Sequence, residues 1–133
     1  DGAWPALEEV EGPLPKTAMD WEIYPQGLHD FLVRTAQEYT GDLPLFVTEN
    51  GMASHSGIED RDRQDYLDAH LAEVRRAIEA GAPVDGYYIW SLLDNYEWSL
   101  GYDKRFGLVN VDFDSLKRTP KASYHALKAA LTR

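Results

Sequence analysis

Two short apolar runs alternate with amphipathic stretches along the chain, and their order predicts an α/β fold. A helix is expected over residues 25–40, where Pro25 suits the first helical position. A strand over residues 43–49, a helix over 62–80 and a second strand over 84–93 follow. Because a helix joins the two strands, we expect them to lie parallel in one sheet. The apolar stripes of the two helices comprise Leu28, Phe31, Leu32, Ala36 and Tyr39 in the first and Leu67, Leu71, Val74 and Ile78 in the second.

The other segments are predicted from turn-forming residues. Residues 1–24 are expected to form a surface loop, because prolines and a glycine break any periodicity. Residues 94–118 are expected to form a loop rich in functional side chains that ends in an extended segment. A last helix is predicted over residues 119–132, with Thr119 as N-cap and Pro120 at the first helical position. Two strands alone leave unpaired edges and one uncovered face, so this unit is expected to need neighbouring segments.

Composition narrows the classes of function. The 133 residues suffice for one modest domain, and the formal net charge of -10 argues against nucleic acid and anionic membranes as partners. No window is long enough to span a bilayer, and the absence of a leader and of cysteine favours a cytoplasmic location. Without cysteine, disulfides and thiolate catalysis are excluded, and the four scattered histidines lack metal-binding spacing. No metal or organic cofactor is therefore expected.

A carboxylate at the end of the first strand is the leading catalytic candidate. Glu49 follows the apolar run 45–47, which is expected to be fully buried. In parallel α/β architectures chemistry is carried out at the C-terminal ends of the strands. A glutamate there is costly to bury unless it is paired or used. The structural alternative is a carboxylate that caps the strand-to-helix turn.

Aromatic and acidic side chains are expected to meet near Glu49, because parallel strands end at the same edge of a sheet. Trp90 and the loop 94–98 close the second strand. Indole planes beside carboxylates suit a sugar, whose C–H face stacks on the ring and whose hydroxyls donate to the carboxylate. Glycosidic hydrolysis takes two carboxyl groups, and Glu49 supplies one. Glu97 and Asp94 share one loop, and a binding or structural role suits each better than that of general acid.

Several other residues have more than one interpretation. Trp21, at the end of a long polar loop, is either a packing residue or a ligand contact. His70 borders the stripe of the second helix and is assigned a hydrogen-bonded structural position rather than a ligand role. The arginines assigned to a solvated face are Arg61, Arg63, Arg75 and Arg76.

Five short motifs resemble those of family 1 glycoside hydrolases, the β-glucosidase family. They are Trp21-Glu-Ile-Tyr-Pro25, Val47-Thr-Glu-Asn-Gly51, Trp90-Ser-Leu-Leu-Asp-Asn-Tyr-Glu-Trp98, Lys104-Arg-Phe-Gly107 and Arg118-Thr-Pro-Lys121. The resemblance runs from about residue 17 to the end of the chain. It implies a C-terminal segment of a (β/α)8 TIM barrel, with the sixth helix and the last two strand–helix units. The N-terminal barrel segment would be a second chain or sequence missing here.

The resemblance also implies roles for individual residues. Glu49 would be the nucleophile that forms a glycosyl-enzyme intermediate, and Trp90 would stack under the sugar. Glu97 would accept hydrogen bonds from the distal hydroxyls, and Trp98 would donate its indole N–H to the same sugar. The remaining substrate-binding residues implied are Phe106, in the same pocket, and Trp21, facing the leaving group.

Two comparisons with the family limit this interpretation. Members that act on 6-phosphorylated sugars lack a glutamate at the position of Glu97, because an acid would repel the phosphate. The sequence therefore resembles the non-phosphorylated branch. The family's acid/base lies in an Asn-Glu-Pro motif that does not occur here, and the arginine and tyrosine that keep the nucleophile ionised are absent too.

The sequence thus predicts part of a retaining β-glycosidase. It would hydrolyse terminal non-reducing β-D-glucosyl residues of β-glucosides or oligosaccharides by double displacement, when assembled with the rest of the barrel. Two alternatives stay open: a non-catalytic carbohydrate-binding or assembly module, and a partly folded, inactive fragment.

Overall fold

The computed structural model describes residues 11–132, in which helices and strands alternate up to β2 and a pair of short strands precedes the last helix. The predictions that concern residues 1–10 lie outside the described residues. The first part of the fold comprises α1 (Pro25–Thr35), a π-helical turn (Ala36–Thr40), β1 (Leu45–Asn50), a 3-10 turn (Gly57–Glu59), α2 (Arg61–Glu79) and β2 (Val84–Ile89). The second part comprises a 3-10 turn (Trp98–Leu100), β3 (Val109–Val111), β4 (Arg118–Pro120) and α3 (Ala122–Leu131).

β1 and β2 form a parallel pair, as the crossover helix predicts, and β3 and β4 form an antiparallel pair. A bridge between Leu93 and Val109 brings the second pair beside the end of β2. The core lies between the parallel pair and the helices α1 and α2. Its buried members are Leu32, Ala36, Val47, Val74, Ala77 and Ala82. This core fixes the directions of both strands and so places their ends side by side.

The last helix begins later than predicted. Thr119 and Pro120 belong to β4, where Pro120 pairs with Val109, and the helix starts at Ala122 after Lys121 as N-cap. A proline is tolerated at the end of a short edge strand for the same reason as at a helix start, since neither position needs its N–H. Pro120 therefore does lie at the boundary of an element, but it ends a strand, whereas the sequence predicts that it begins a helix.

β2 is shorter than predicted and ends at Ile89. Beyond it the backbone changes partner, because the Trp90 amide still donates to the Asn50 carbonyl oxygen at 3.0 Å but the Ser91 amide donates to that of Phe106 at 3.3 Å. The segment that follows β2 is thus bonded to the chain around residue 106, and this brings a distant loop to the strand end.

The first strand is buried on one face only, whereas its apolar run alone predicts burial on both; the uncovered face agrees with the expectation that two strands need neighbouring segments. Val47 is buried against the helices, whereas Phe46 on the opposite face is 48% exposed. Among the described residues, no layer covers that second face. Parts of the apolar stripes of the two helices are also exposed, namely the side chains of Phe31, Tyr39 and Ile78.

Arg63 contradicts its assignment to a solvated face. It is 1% exposed and lies against the equally buried Asp60, whose Oδ2 is 2.7 Å from its Nε. Asp60 also accepts hydrogen bonds from the amide and hydroxyl of Ser123 at 2.9 and 2.7 Å. The other acceptors of Arg63 are the carbonyl oxygens of Met52, Arg105 and Phe106. The other three arginines of this group, Arg61, Arg75 and Arg76, are exposed as predicted.

His70 is buried in α2, and its Nδ1 lies 2.8 Å from the carbonyl oxygen of Tyr66, in agreement with a structural role. Between residues 11 and 132, no helix is both long and apolar enough to cross a membrane. The cytoplasmic location stays a prediction.

Candidate active site

A bulge in β1 exposes the side chain of Glu49. Val47 pairs with Tyr87 and Asn50 with Ile89, so β1 has one more residue than β2 over this interval. Val47 and Asn50 both face the helices, Val47 in the core and Asn50 bonded to a tyrosine of α2. In a regular strand, residues three positions apart would face opposite sides of the sheet. The bulge turns Asn50 to the same side as Val47. Glu49 is thereby left exposed beside the strand end.

Gly51 lets the two strand ends approach each other closely. A Cβ built at this position would lie 1.7 Å from the carbonyl oxygen of Trp90. Any side chain at residue 51 would therefore have to push the backbone of Trp90 away. The glycine is required by packing, and it keeps Trp90 beside Glu49.

Asp94 holds the loop that follows β2, and it does so as a buried structural residue. Its Oδ1 accepts hydrogen bonds from the Gly107 amide and from the Lys121 ammonium, both at 2.9 Å. Its Oδ2 accepts from the Val111 amide at 3.3 Å. Burial lowers the pKa of Lys121, and the hydrogen bond and charge of Asp94 offset part of this effect. The carboxylate fixes the two ends of the segment that carries Glu97, in agreement with the structural role considered for Asp94.

A pocket of about 240 Å³ opens at the ends of β1 and β2. It brings together all six residues that the sequence analysis selected for the site. Those six are Trp21, Glu49, Trp90, Glu97, Trp98 and Phe106. Two further lining residues, Asn50 and Gly51, were not selected, although both belong to the motif that contains Glu49.

The aromatic side chains of the pocket differ in how far they are buried. Phe106 is 3% exposed and forms the fixed base, and the ring of Trp21 lies 6.5 Å from it, tilted by 48°. Trp90 is 37% exposed and Trp98 is 83% exposed. The base at Phe106 is therefore well packed, while the wall at Trp98 stands open.

Asn50 is fixed by two tyrosines behind the pocket. The Tyr87 hydroxyl donates to Asn50 Oδ1 at 2.6 Å, and Asn50 Nδ2 donates to the Tyr66 hydroxyl at 3.3 Å. Burial raises the pKa of both tyrosines, so both hydroxyl groups stay neutral. Tyr66 in turn stacks on His70 with ring centroids 3.8 Å apart. This support orients the amide next to Glu49. It could not be predicted, because the residues that form it lie far apart in the sequence.

The pocket can hold a polar ring with one hydrophobic face. Two carboxylates, Glu49 and Glu97, and an amide supply hydrogen-bond partners, and indole and phenyl rings supply stacking surface. Among residues 11–132, no arginine or tyrosine bonds to the Glu49 carboxylate, and no group of three potential ligands could hold a metal ion. The site thus presents hydrogen-bonding groups beside apolar stacking surface in one open pocket.

The fold and the pocket together define the class of protein. The chain folds as part of a (β/α)8 barrel, with its pocket at the carboxyl ends of two neighbouring parallel strands. The model of glycosyl hydrolase family 1 matches residues 4–133. The chain belongs to this family and corresponds to a C-terminal segment of it.

Relatives named for different activities match this chain. A 1,4-β-D-glucan glucohydrolase from Thermotoga neapolitana is 49% identical over 86% of this chain and 27% of its own length. A 6-phospho-β-galactosidase from Streptococcus equi subsp. zooepidemicus is 46% identical over 90% of this chain and 27% of its own length. The structure of a family 1 β-glucosidase from Thermotoga maritima in complex with isofagomine lactam superposes with a TM-score of 0.89 at 43% identity. That match covers 92% of this chain and 29% of the neighbour. The chain therefore spans about 27% of the length of the curated relatives it matches.

Proposed function

We propose that this chain provides the nucleophile and half of the sugar-binding site of a retaining β-glucosidase. The observation that carries the proposal is the pocket itself, which gathers Glu49, Glu97 and four aromatic side chains at the ends of two parallel strands. Membership of glycosyl hydrolase family 1 supports the reaction class. The substrate is a β-glucoside or an oligosaccharide with a terminal β-D-glucosyl residue.

In the proposed mechanism the Glu49 carboxylate attacks the anomeric carbon of the bound sugar. A carboxylic acid from the rest of the barrel protonates the glycosidic oxygen as its bond to the anomeric carbon breaks. The same group then removes a proton from water, which attacks the anomeric carbon and displaces Glu49 with net retention. This geometry requires the two carboxyl groups to lie about 5 Å apart.

Glu97 favours a sugar without a phosphate group. Its carboxylate lines the pocket and would repel a phosphorylated hydroxyl at close range. The matched relatives carry names of both glucosidases and 6-phospho-β-galactosidases, so overall similarity does not choose between these substrates. Glu97 is therefore the residue on which we base the choice of an unphosphorylated glucoside.

The partner in this proposal is the barrel segment that relatives possess and this chain does not contain. The exposed Phe46 and Tyr88 belong to the sheet face opposite the helices, where a barrel has its packed interior. Exposed large apolar side chains on a sheet face favour a partner that covers them. The segment would supply the general acid and close the open side of the pocket.

The test is hydrolysis of an aryl β-glucoside by this chain, alone and mixed with an upstream family 1 barrel segment. We expect activity in the mixture only. Glu49→Gln should abolish it, whereas Glu59→Gln, at an exposed loop position, should leave it intact. With 2-deoxy-2-fluoroglucosyl fluoride, Glu49 should displace the anomeric fluoride, and mass spectrometry should find the 2-deoxy-2-fluoroglucosyl group on the peptide that contains Glu49.

Other outcomes would favour the alternatives. Activity of the chain alone would contradict the assignment of the general acid to another segment. An inactive mixture that still binds glucose analogues would support a non-catalytic carbohydrate-binding module. A chain that neither binds sugar nor unfolds cooperatively would be an inactive fragment.

A further inference from the structure

The turn that carries Trp21 is a compact unit with its own hydrogen bonds. The Thr17 amide donates to the Trp21 carbonyl oxygen at 2.9 Å, and the Asp20 amide donates to the Thr17 carbonyl oxygen at 3.0 Å. The Met19 amide donates to the Thr17 hydroxyl oxygen at 3.1 Å. Since the turn holds its own shape, its position at the pocket depends on the bonds that join it to the rest of the chain.

Ala18 joins this turn to both loops beside the pocket. Its amide donates to the carbonyl oxygen of Ala53, in the loop after β1, at 3.1 Å. Its carbonyl oxygen accepts a hydrogen bond from the ammonium group of Lys104, in the loop after β2. The two backbone groups of one residue thus connect the Trp21 turn to the loops on either side of the site.

The side chain of Trp21 does little to hold itself in place. It is 56% exposed, whereas its neighbour Phe106 is 3% exposed. The two rings are tilted and 6.5 Å apart, which is a contact at one edge rather than a packed interface. The attachment at Ala18 is therefore a restraint that connects the position of the indole to the two loops beside the pocket.

We propose that Lys104 is a positioning residue that sets Trp21 at the outer wall of the pocket and so controls binding of the substrate's leaving group. The proposal rests on the glycosidase function proposed above. A hydrogen bond from an ammonium group is stronger than one between neutral groups, so its loss frees one of the two attachments of the turn. Lys104 is not among the residues that line the pocket in the described part of the chain. It acts on the substrate through Trp21.

Hydrogen exchange of the Ala18 amide in the whole chain tests the attachment directly. In Lys104→Met we expect exchange at this amide to become about tenfold faster, because one charge-assisted bond of the turn is lost. Lys104→Arg should restore most of the protection. Lys16→Met is the matched control, since Lys16 lies in the same segment and pairs with Glu11 at the surface. Unchanged exchange in Lys104→Met would overturn the proposal.

Kinetics of the assembled enzyme test the effect on the substrate. For an aryl β-glucoside, Lys104→Met should raise KM severalfold, whereas kcat/KM for β-glucosyl fluoride, which has no ring in its leaving group, should stay unchanged. A merely structural role would lower kcat/KM for the aryl β-glucoside and for β-glucosyl fluoride alike, and that result would refute the positioning role. If the wild-type mixture hydrolyses neither compound, the proposed glycosidase function fails, and the exchange measurement alone then decides whether Lys104 holds the turn.

Discussion

Replacing Arg63 by methionine should cost this chain a large part of its stability. The guanidinium is buried with Asp60 and donates to three carbonyl oxygens in the loops after β1 and β2. Methionine fills a similar volume, but it leaves the Asp60 carboxylate, still bonded to Ser123, without the charge of its partner, and it removes the guanidinium donor from the three oxygens. Removing one partner of a buried ion pair costs about 3–5 kcal/mol. That is a fifth or more of the roughly 5–15 kcal/mol that holds an ordinary domain together.

The neighbouring Arg61 provides a matched control on the same helix. It pairs with Asp65 at 3.0 Å, but both side chains are mostly exposed. Arg61→Met should therefore cost no more than about 0.5 kcal/mol. The two variants remove the same charge from the first turn of α2, so a difference between them reports burial and bonding rather than net charge.

Urea denaturation followed by circular dichroism gives the comparison. With a slope of about 2 kcal/mol/M, the midpoint of Arg63→Met should fall by about 1.5–2.5 M and that of Arg61→Met by less than about 0.3 M. If Arg63→Met shows no cooperative transition, Arg63→Lys should lie between it and the wild type, because lysine keeps the charge and loses the fork of donors. Equal midpoints for Arg63→Met and Arg61→Met would refute the reasoning.

Three further expectations concern the pocket and its support. Gly51→Ala places a Cβ 1.7 Å from the Trp90 carbonyl oxygen and should cost about 1–3 kcal/mol, so an unchanged urea midpoint would contradict the close approach. Burial lowers the pKa of His70, so the unfolded chain binds more protons than the folded chain at low pH. The stability that neutral His70 contributes is therefore complete above the usual pKa of 6.5 and falls at lower pH. His70→Gln should remove that part of the pH dependence in denaturation series between about pH 7 and pH 5. Tyr87→Phe removes the 2.6 Å hydrogen bond to Asn50 and should lower the free energy of unfolding by about 1 kcal/mol.

The arrangement of the site could be predicted because it follows from chain topology. A helix between two apolar runs makes the strands parallel, and parallel strands end at one edge. Glu49 and Trp90 lie at the ends of those runs and Glu97 in the loop after the second, so the order of the elements brings all three to one edge of the sheet. Their catalytic and binding roles stay predictions, because no bound sugar tests them.

The bulge in β1 could not be predicted, although the exposure of Glu49 depends on it. Strict alternation from Val47 would place Glu49 on the helix side of the sheet. The extra residue between Val47 and Asn50 reverses this. A bulge is a property of how two strands pair, and the single run of residues before Gly51 contains no signal for it.

The burial of Arg63 was missed because residue type was given more weight than position. The buried residues of α2 are Arg63, Leu67, His70, Val74 and Ala77, at alternating spacings of four and three. Arg63 therefore lies on the same face as the apolar stripe. Its charge suggested solvent, but Asp60 three residues earlier is the acid that permits its burial. An acid and an arginine on the buried face of one helix are together the signal that was available.

The openness of the pocket is a second reason to expect that the chain alone is inactive, and it does not depend on the general acid. Trp98 is 83% exposed and Trp90 is 37% exposed, so a bound sugar would keep one side in water. Fixed dipoles and charges stabilise a transition state strongly only where water is excluded. Glu49, which has no described basic partner, would also share its charge with solvent rather than direct it at the anomeric carbon. A barrel segment that covers the open wall would thus raise the rate in two ways: it would supply the acid, and it would exclude water from the pocket.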